Sequence, residues 1–234
     1  TDVTPYGMGA YASRQTYVAS FSIRQTAELL KNRILEQAQV LTRQSPSNLT
    51  LRDGKIVRVT DGRILMTLGE LATQTLYSLD HSAHLTAETT ADVKNNAFHF
   101  GCSFAEVEVD IPLCKVKLLR LLNVHDAGTL INPQLAEAQV HGGMSMSIGF
   151  ALSEQLLLDE RTGRTLNGNL LDYKVSTTLD HPDLEACFAE CPEPTSGFGN
   201  RSLGEPPAVS GAPAIRNAIL DATGVAVNRL PANP

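Results

Sequence analysis

The stretch Ser202–Pro207 has the residue types and spacing to place a carboxylate for acid–base chemistry. Its Glu205 stands between Gly204 and two prolines, ahead of a helical segment that ends at Gly224. Prolines fix φ and lack an N–H, the residue before a proline is biased towards extended backbone, and glycine admits another group closely. We therefore expect Glu205 to be extended and held in a defined conformation. The alternative is that its charge only complements the positive end of the following helix.

A polar segment at the other end of the chain precedes a long helical pattern. Residues 1–16 are rich in Gly, Ser and Thr, and Ala12-Ser13-Arg14-Gln15-Thr16 leads into apolar residues spaced by three and four. This spacing predicts an amphipathic helix over about 17–43. The free N–H groups and positive dipole at the start of such a helix suit a phosphate. The alternative is ordinary helix capping by Ser13, Thr16 or Ser20.

A second helix is predicted to begin at Pro133, with Asn132 as its N-cap. After Gln139 this helix carries small residues, namely Gly142, Gly143, Ser145, Ser147 and Gly149. Because a glycine inside a helix costs about 1 kcal/mol relative to alanine, we expect another backbone or a bulky ligand to pack closely there. Tight packing between helices alone is the other interpretation.

The rest of the chain predicts short strands and further helices. Alternation over 105–109 and 116–124 indicates two strands joined by a turn near Pro112. The other predicted elements are a hairpin around Asp53-Gly54, a strand at Ile64–Thr67, a helix at Leu68–Tyr77, a second hairpin around Thr162-Gly163 and a strand at Leu184–Cys191. We therefore expect an α+β fold in which long helices pack against short mixed or antiparallel sheets.

The composition is that of an ordinary globular protein, with 234 residues, 42% hydrophobic and 19% charged. A net charge of −6 without a dense Lys/Arg run argues against nucleic-acid binding. No apolar run approaches the roughly 18 residues needed to span a membrane, and no signal-peptide core is present, so the cytoplasm is the expected compartment. Because residue 1 is Thr rather than Met, we expect a fragment, a processed chain or a trimmed chain.

The four cysteines, Cys102, Cys114, Cys187 and Cys191, have neither zinc-pair nor plant-type iron–sulfur spacing. Cys187 and Cys191 would share one face of an apolar strand, so we expect buried free thiols. The six histidines contain no His-Glu-x-x-His motif. Any metal is therefore expected to arrive inside a cofactor.

Several segments together resemble one protein family. The segments are Ala12–Thr16, Asp126–Gly128, Ile131–Pro133, Gln139–Gly143, Asn169–Lys174, Asp180–Asp183, Gly204–Pro207, Gly211–Ile215 and Asn217–Ile219. In this order they resemble the C-terminal molybdopterin-binding part of the molybdenum-binding subunit of the xanthine dehydrogenase and aldehyde oxidoreductase family, most of all its bacterial xanthine dehydrogenases. The chain departs from the family pattern in two places: Leu113-Cys114 stands where a Thr-Gly turn is common, and Asn200-Arg201 replaces a small–Lys pair.

The resemblance implies a cofactor and roles for individual residues. Residues 1–234 would form the C-terminal molybdopterin-binding segment of a larger subunit. The implied cofactor is molybdenum with molybdopterin, in the cytosine dinucleotide form, bound through Ala12, Ser13, Arg14 and Gln15. Gln139 would hydrogen-bond at the molybdenum centre, and Glu205 would be the active-site base. The pterin dithiolene, rather than a side chain, would hold the metal.

The resemblance also implies an activity and partners. The reaction would be hydroxylation of a purine-type heterocycle such as xanthine or hypoxanthine, with oxygen from water. Expected partners are the remaining half of the subunit and iron–sulfur and FAD domains or subunits, with no nucleic acid and no membrane, and the isolated chain would be inactive. Two alternatives stay open: oxidation of an aldehyde, nicotinate or carbon monoxide at the same site, or a non-catalytic cofactor-binding or assembly piece.

Overall fold

The computed structural model describes residues 2, 6–7, 9–79, 83–91 and 93–232. The chain divides into two compact units, one formed by Thr1–Val18 with Lys94–Pro234 and the other by Ala19–Val93. Among the helices that the structure describes, none combines the length and the apolar character that crossing a membrane requires.

The Ala19–Val93 unit is built around an antiparallel sheet of three strands, β1 (Leu49–Arg52), β2 (Lys55–Arg58) and β3 (Ile64–Thr67), followed by helix α2 (Leu68–Tyr77). Asp53 and Gly54 both have positive φ, 48° and 70°, which is the geometry of a tight hairpin turn. Helix α1 (Gln15–Thr42) belongs to this unit from residue 19 onward. It contributes Ile34 and Ala38 to the unit's core. Their partners there are Leu49, Ile56 and Leu71. The predicted hairpin, strand and helix are thus confirmed.

The other unit contains a mixed sheet of three strands in the order β4 (Phe100–Asp110), β5 (Lys115–Asp126) and β6 (Asp183–Phe188). Strands β4 and β5 are antiparallel, whereas β6 runs parallel to β5. Helices α3 (Pro133–Leu152) and α5 (Gly211–Thr223) share a core with this sheet. The buried residues of that core are Leu118, Leu121, Val140, Met144, Ile148, Ala151, Ala212, Ile215 and Ile219. The α+β prediction, with long helices on short sheets, is therefore confirmed.

The helix boundaries follow their local signals. Asn132 caps α3, since its side chain accepts a hydrogen bond from the Leu135 N–H at 3.1 Å, and Pro133 is the first helical residue. Helix α5 ends at Thr223 and is capped by Gly224, which has φ 72° and whose N–H donates to the Leu220 carbonyl.

The structure corrects one sequence-based prediction about a strand and one about thiols. The second hairpin around Thr162-Gly163 is present but short, since Leu158 pairs with Thr165 and the Leu166 N–H donates to the Leu157 carbonyl at 2.8 Å. The strand predicted to reach Cys191 ends at Phe188. All four cysteines are exposed in this chain rather than buried. Since Leu184, Ala186 and Phe188 face the core, Cys187 lies on the opposite face of β6, and Cys191 lies beyond the strand, where alternation no longer applies.

Candidate functional site

Glu205 lies directly before a single helical turn, α4 (Pro206–Val209). Its backbone is right-handed helical, φ −89° and ψ −35°, so the predicted extended conformation is wrong. The Glu205 carbonyl accepts a hydrogen bond from the Ala208 N–H at 2.9 Å, and two prolines at the first helical positions suit the turn. These features offset the bias that a proline imposes on the preceding residue. The Glu205 side chain makes no capping hydrogen bond with α4 and is exposed.

The turn that follows Glu205 is held by side chains from β5 and α3. The Asn123 amide donates to the Pro207 carbonyl at 3.1 Å, and the Ser147 hydroxyl donates to the Ala208 carbonyl at 2.8 Å. A Cβ on Gly143 would lie 2.5 Å from the Pro207 Cβ, so only glycine admits this contact. At Gly143 the backbone of α4 therefore packs closely on the small-sided face of α3, a contact that is also packing between two helices.

The segment that precedes Glu205 is held by three side chains from distant parts of the chain. The Gln139 amide lies 3.1 Å from the Gly204 carbonyl, to which it donates. The Glu205 N–H donates to the Ser13 hydroxyl at 2.5 Å, and His99 Nδ1 lies 2.7 Å from the Ser202 carbonyl oxygen. The fold thus brings Ser13, Gln139 and Glu205 together, as a shared site requires.

Ser13 reaches Glu205 from a strained turn. Ala12 and Ser13 both have left-handed backbone, φ 50° and 53°, which costs non-glycine residues roughly 1–2 kcal/mol each. Helix α1 begins at Gln15, so Thr16 and Ser20 lie inside the helix and cannot serve as its N-cap. Strain of this kind persists where the surrounding structure enforces it, often at functional sites.

Two cavities meet at Glu205. The first, of about 540 Å³, is lined by Ser13, Arg14, Gln15, Gln139 and Glu205 among others. The second, of about 420 Å³, is lined by Ala12, Ser13, His99, His125, Ser202 and Glu205 among others. The residues predicted to bind a cofactor are therefore distributed between the two cavities. Arg14, Gln15 and Gln139 line the first, Ala12 lines the second, and Ser13 lines both.

The first cavity fits an anionic organic group. Its volume is within the range of cofactor sites, which is roughly 300–1,000 Å³. The lining offers the Arg14 guanidinium, the Gln15 and Gln139 amides and the Ser13 hydroxyl, next to the N-terminus of α1. Among the described residues, no group of three His, Cys, Asp or Glu side chains could hold a metal ion directly. The donor set suits a pterin and its phosphates.

Arg201 forms an ion-pair network that was not predicted from the sequence. The nearly buried Arg201 guanidinium lies 3.5 Å from the Asp126 carboxylate and 3.3 Å from that of Glu193. Hydrogen bonds from Thr195, and to a smaller extent the Arg201 charge, lower the pKa of the Glu193 carboxyl. A Cβ on Gly128 would lie 2.3 Å from the Gly199 carbonyl oxygen. The backbone segments at these two glycines therefore pack too closely for a side chain at position 128. The Asp126–Gly128 motif pointed to this region, but the ion pairs could not be predicted because Glu193 and Arg201 are distant from it in sequence.

His99 and His125 form a hydrogen-bonded pair that was not predicted from the sequence either. His99 Nε2 lies 2.9 Å from His125 Nδ1, and both residues line the second cavity. No spacing rule joins them, because His99 precedes β4 and His125 lies near the end of β5.

Comparisons with known proteins show which family the chain is similar to. The sequence model of a family described as the molybdopterin cofactor-binding domain matches residues 1–182. The xanthine dehydrogenase molybdenum-binding subunit of Escherichia coli O157:H7 is 50% identical over 235 residues, covering 100% of this chain and 31% of that protein. The carbon monoxide dehydrogenase large chain of Afipia carboxidovorans is 29% identical over 95% of this chain and 28% of its own length.

A solved structure is also similar to this chain. Quinoline 2-oxidoreductase from Pseudomonas putida 86 superposes with a TM-score of 0.85 and 28% identity, over 98% of this chain and 30% of that one. This chain spans less than a third of the length of each of these three proteins. Because the family model covers most of the chain, and the 50% identical relative matches all of it, the chain belongs to the molybdopterin cofactor-binding domain family, within the molybdenum-binding subunits of the xanthine dehydrogenase and aldehyde oxidoreductase group.

Proposed function

We propose that this chain is the cofactor-binding segment of a molybdenum hydroxylase that oxidises a purine-type heterocycle, with oxygen from water. The observation that carries the proposal is the meeting of Ser13, Gln139 and Glu205 at one cavity, where the first two side chains hold the backbone of the segment that bears the carboxylate. The purine is proposed because the xanthine dehydrogenase subunit is 50% identical to this chain. The remaining half of the subunit, together with iron–sulfur and FAD domains or subunits, would complete the enzyme.

The residues that would hold the cofactor are Ala12, Ser13, Arg14, Gln15 and Gln139. Arg14 and the start of α1 would bind phosphates, in the cytosine dinucleotide form of molybdopterin. Molybdenum would be held by the pterin dithiolene, and when bound it supplies the redox chemistry of the hydroxylation. Gln139 uses one amide N–H for the Gly204 carbonyl, and its second N–H would be available to donate a hydrogen bond at the molybdenum centre.

Glu205 would act as the general base. Its ionised carboxylate would accept the proton that the water-derived oxygen loses as the substrate carbon is hydroxylated. The hydrogen bonds on both sides of Glu205 keep its backbone in one place, so little reorganisation is needed at the moment of proton transfer. The carboxylate side chain itself makes no capping bond that would compete with this role.

An assay of the assembled complex tests the proposed substrate. Rates would be measured per molybdenum with xanthine, hypoxanthine, an aldehyde, nicotinate and carbon monoxide. We expect the highest rate with a purine. Faster oxidation of an aldehyde, nicotinate or carbon monoxide would contradict the purine assignment, and the absence of turnover at full molybdenum content would indicate a non-catalytic binding piece.

Replacing both Ser13 and Gln15 with Ala is expected to lower molybdenum and pterin content. Two lost hydrogen bonds at about 1 kcal/mol each correspond to a roughly thirtyfold weaker affinity. The measurement is metal and pterin analysis of the purified complex. A matched control replaces Gln39 and Ser47, two exposed residues of the Ala19–Val93 unit, with Ala. Cofactor content equal to that of the control would refute the assignment of Ser13 and Gln15.

A further inference from the structure

The pair His99 and His125 is a buried hydrogen-bonded group that the proposed chemistry does not use. The two rings lie 5.0 Å apart between centroids and are tilted by 50°. His125 is 1% exposed, and His99 is half-buried. The pair also reaches the segment that bears Glu205, because His99 Nδ1 lies 2.7 Å from the Ser202 carbonyl oxygen.

The partners of the two rings determine where their protons lie. The Ser202 carbonyl can only accept, so His99 must carry a proton on Nδ1. In neutral His99 the other nitrogen, Nε2, is then an acceptor, and His125 must donate to it from Nδ1. This arrangement leaves His125 Nε2 without a proton. That nitrogen is buried and has no hydrogen-bond partner among the described residues, which suits a lone pair better than an unpaired N–H.

The electrostatic surroundings favour the neutral pair. Burial and, to a smaller extent, neighbouring His99 together lower the pKa of His125 to about 4. Burial also lowers the pKa of His99, and the Arg201 charge acts in the same direction, whereas the bond to Ser202 and the Asp126 charge oppose it. A proton added to the pair would place an N–H on the buried, unpartnered His125 Nε2, so both rings are expected to be neutral near pH 7.

A glycine opposite His125 leaves room for the contact between the two histidines. Gly101 pairs with His125 across the β4–β5 ladder. A Cβ on Gly101 would lie 2.6 Å from His125 Nδ1, the atom that donates to His99. Any other residue at this position would displace the His125 ring, so the glycine permits the contact between the two histidines.

We propose that His99 is a positioning residue for Glu205, and that His125 selects the His99 tautomer that can donate to the Ser202 carbonyl. His99 holds the segment from Ser202 to Glu205 at its first residue, whereas Gln139 and Ser13 hold it at Gly204 and Glu205. This inference rests on the proposed role of Glu205 as the base. Because a misplacement of about 1 Å can cost roughly 10² in rate, loss of the His99 contact lowers catalysis without removing a catalytic group.

Two substitutions of His99 separate its two hydrogen bonds. In His99→Asn the side-chain amide takes the place of Nδ1 and keeps a donor for Ser202, whereas in His99→Gln the amide takes the place of Nε2 and loses it. In the assembled complex at matched molybdenum content, we expect His99→Gln to reduce kcat by about 10- to 100-fold. His99→Asn is expected to stay within about threefold of wild type, because it retains the donor. His99→Ala replaces the Gln variant if the latter does not assemble.

Amide hydrogen exchange supplies a readout that does not depend on turnover. Exchange at the Glu205 N–H is expected to accelerate in His99→Gln and to stay near wild type in His99→Asn. Equal rates and equal exchange in the two variants would overturn the positioning role. If Glu205→Gln proves fully active, the proposed base fails, yet a difference in exchange between the two His99 variants would still support the positioning of this segment.

Discussion

Replacing Glu205 with Gln is expected to slow reduction of the enzyme by substrate by about 10²–10⁴-fold, the usual cost of removing a general base. The amide keeps the shape and reach of the side chain but cannot accept a proton as a carboxylate does. The loss exceeds this range if Glu205 also orients the substrate ring. Folding and cofactor loading should be nearly unchanged, because the contacts that hold residue 205 are made by its backbone N–H and carbonyl.

The measurement is the rate of the reductive half-reaction per molybdenum in the assembled enzyme. Glu137→Gln provides a matched control, since Glu137 is an exposed carboxylate on α3 that lines neither cavity. A Glu205→Gln enzyme that reacts within about tenfold of wild type, well short of the usual loss, would place the base elsewhere. The interpretation of the Gly204–Pro207 motif would then be wrong.

Replacing Gln139 with Ala is expected to reduce turnover by roughly 10²–10³-fold while most of the cofactor stays bound. A loss of this size is typical when one donor to developing charge is removed. The structure adds a second route to the same loss, because Gln139 also donates to the Gly204 carbonyl next to Glu205. Both routes predict slower turnover. Only the second also predicts that the backbone at Gly204 and Glu205 becomes more mobile, because it loses the hydrogen bond from Gln139.

Turnover and hydrogen exchange measured on one Gln139→Ala preparation distinguish these routes. Slow turnover with unchanged exchange at the Glu205 N–H indicates that Gln139 acts by donating a hydrogen bond at the molybdenum centre. Slow turnover with faster exchange indicates that it acts by holding Gly204. Activity equal to wild type at matched molybdenum content would mean that Gln139 only packs against the segment.

Much of the secondary structure was predictable because its signals are local. The Asn132-Pro133 pair predicted the start of α3, since a cap and a proline act within one helical turn. Asp53-Gly54 predicted its hairpin, because few residues adopt the left-handed backbone that this turn requires. Alternation failed for Cys191, because the side to which a residue points depends on where the strand ends, and β6 ends at Phe188.

The sequence alone determined the family and was enough to propose a base and cofactor-binding donors, because these proposals rest on short motifs at Ala12–Thr16, Gln139 and Gly204–Pro207. Only the tertiary structure decided how Glu205 is held. The Ser13–Glu205 bond joins residues 192 positions apart, and the contact between His99 and Ser202 spans 103. Such pairings depend on how the elements pack, which neither periodicity nor local conformational preference encodes. The same packing closes the turn after Glu205 and overrides the extended backbone that the following proline favours.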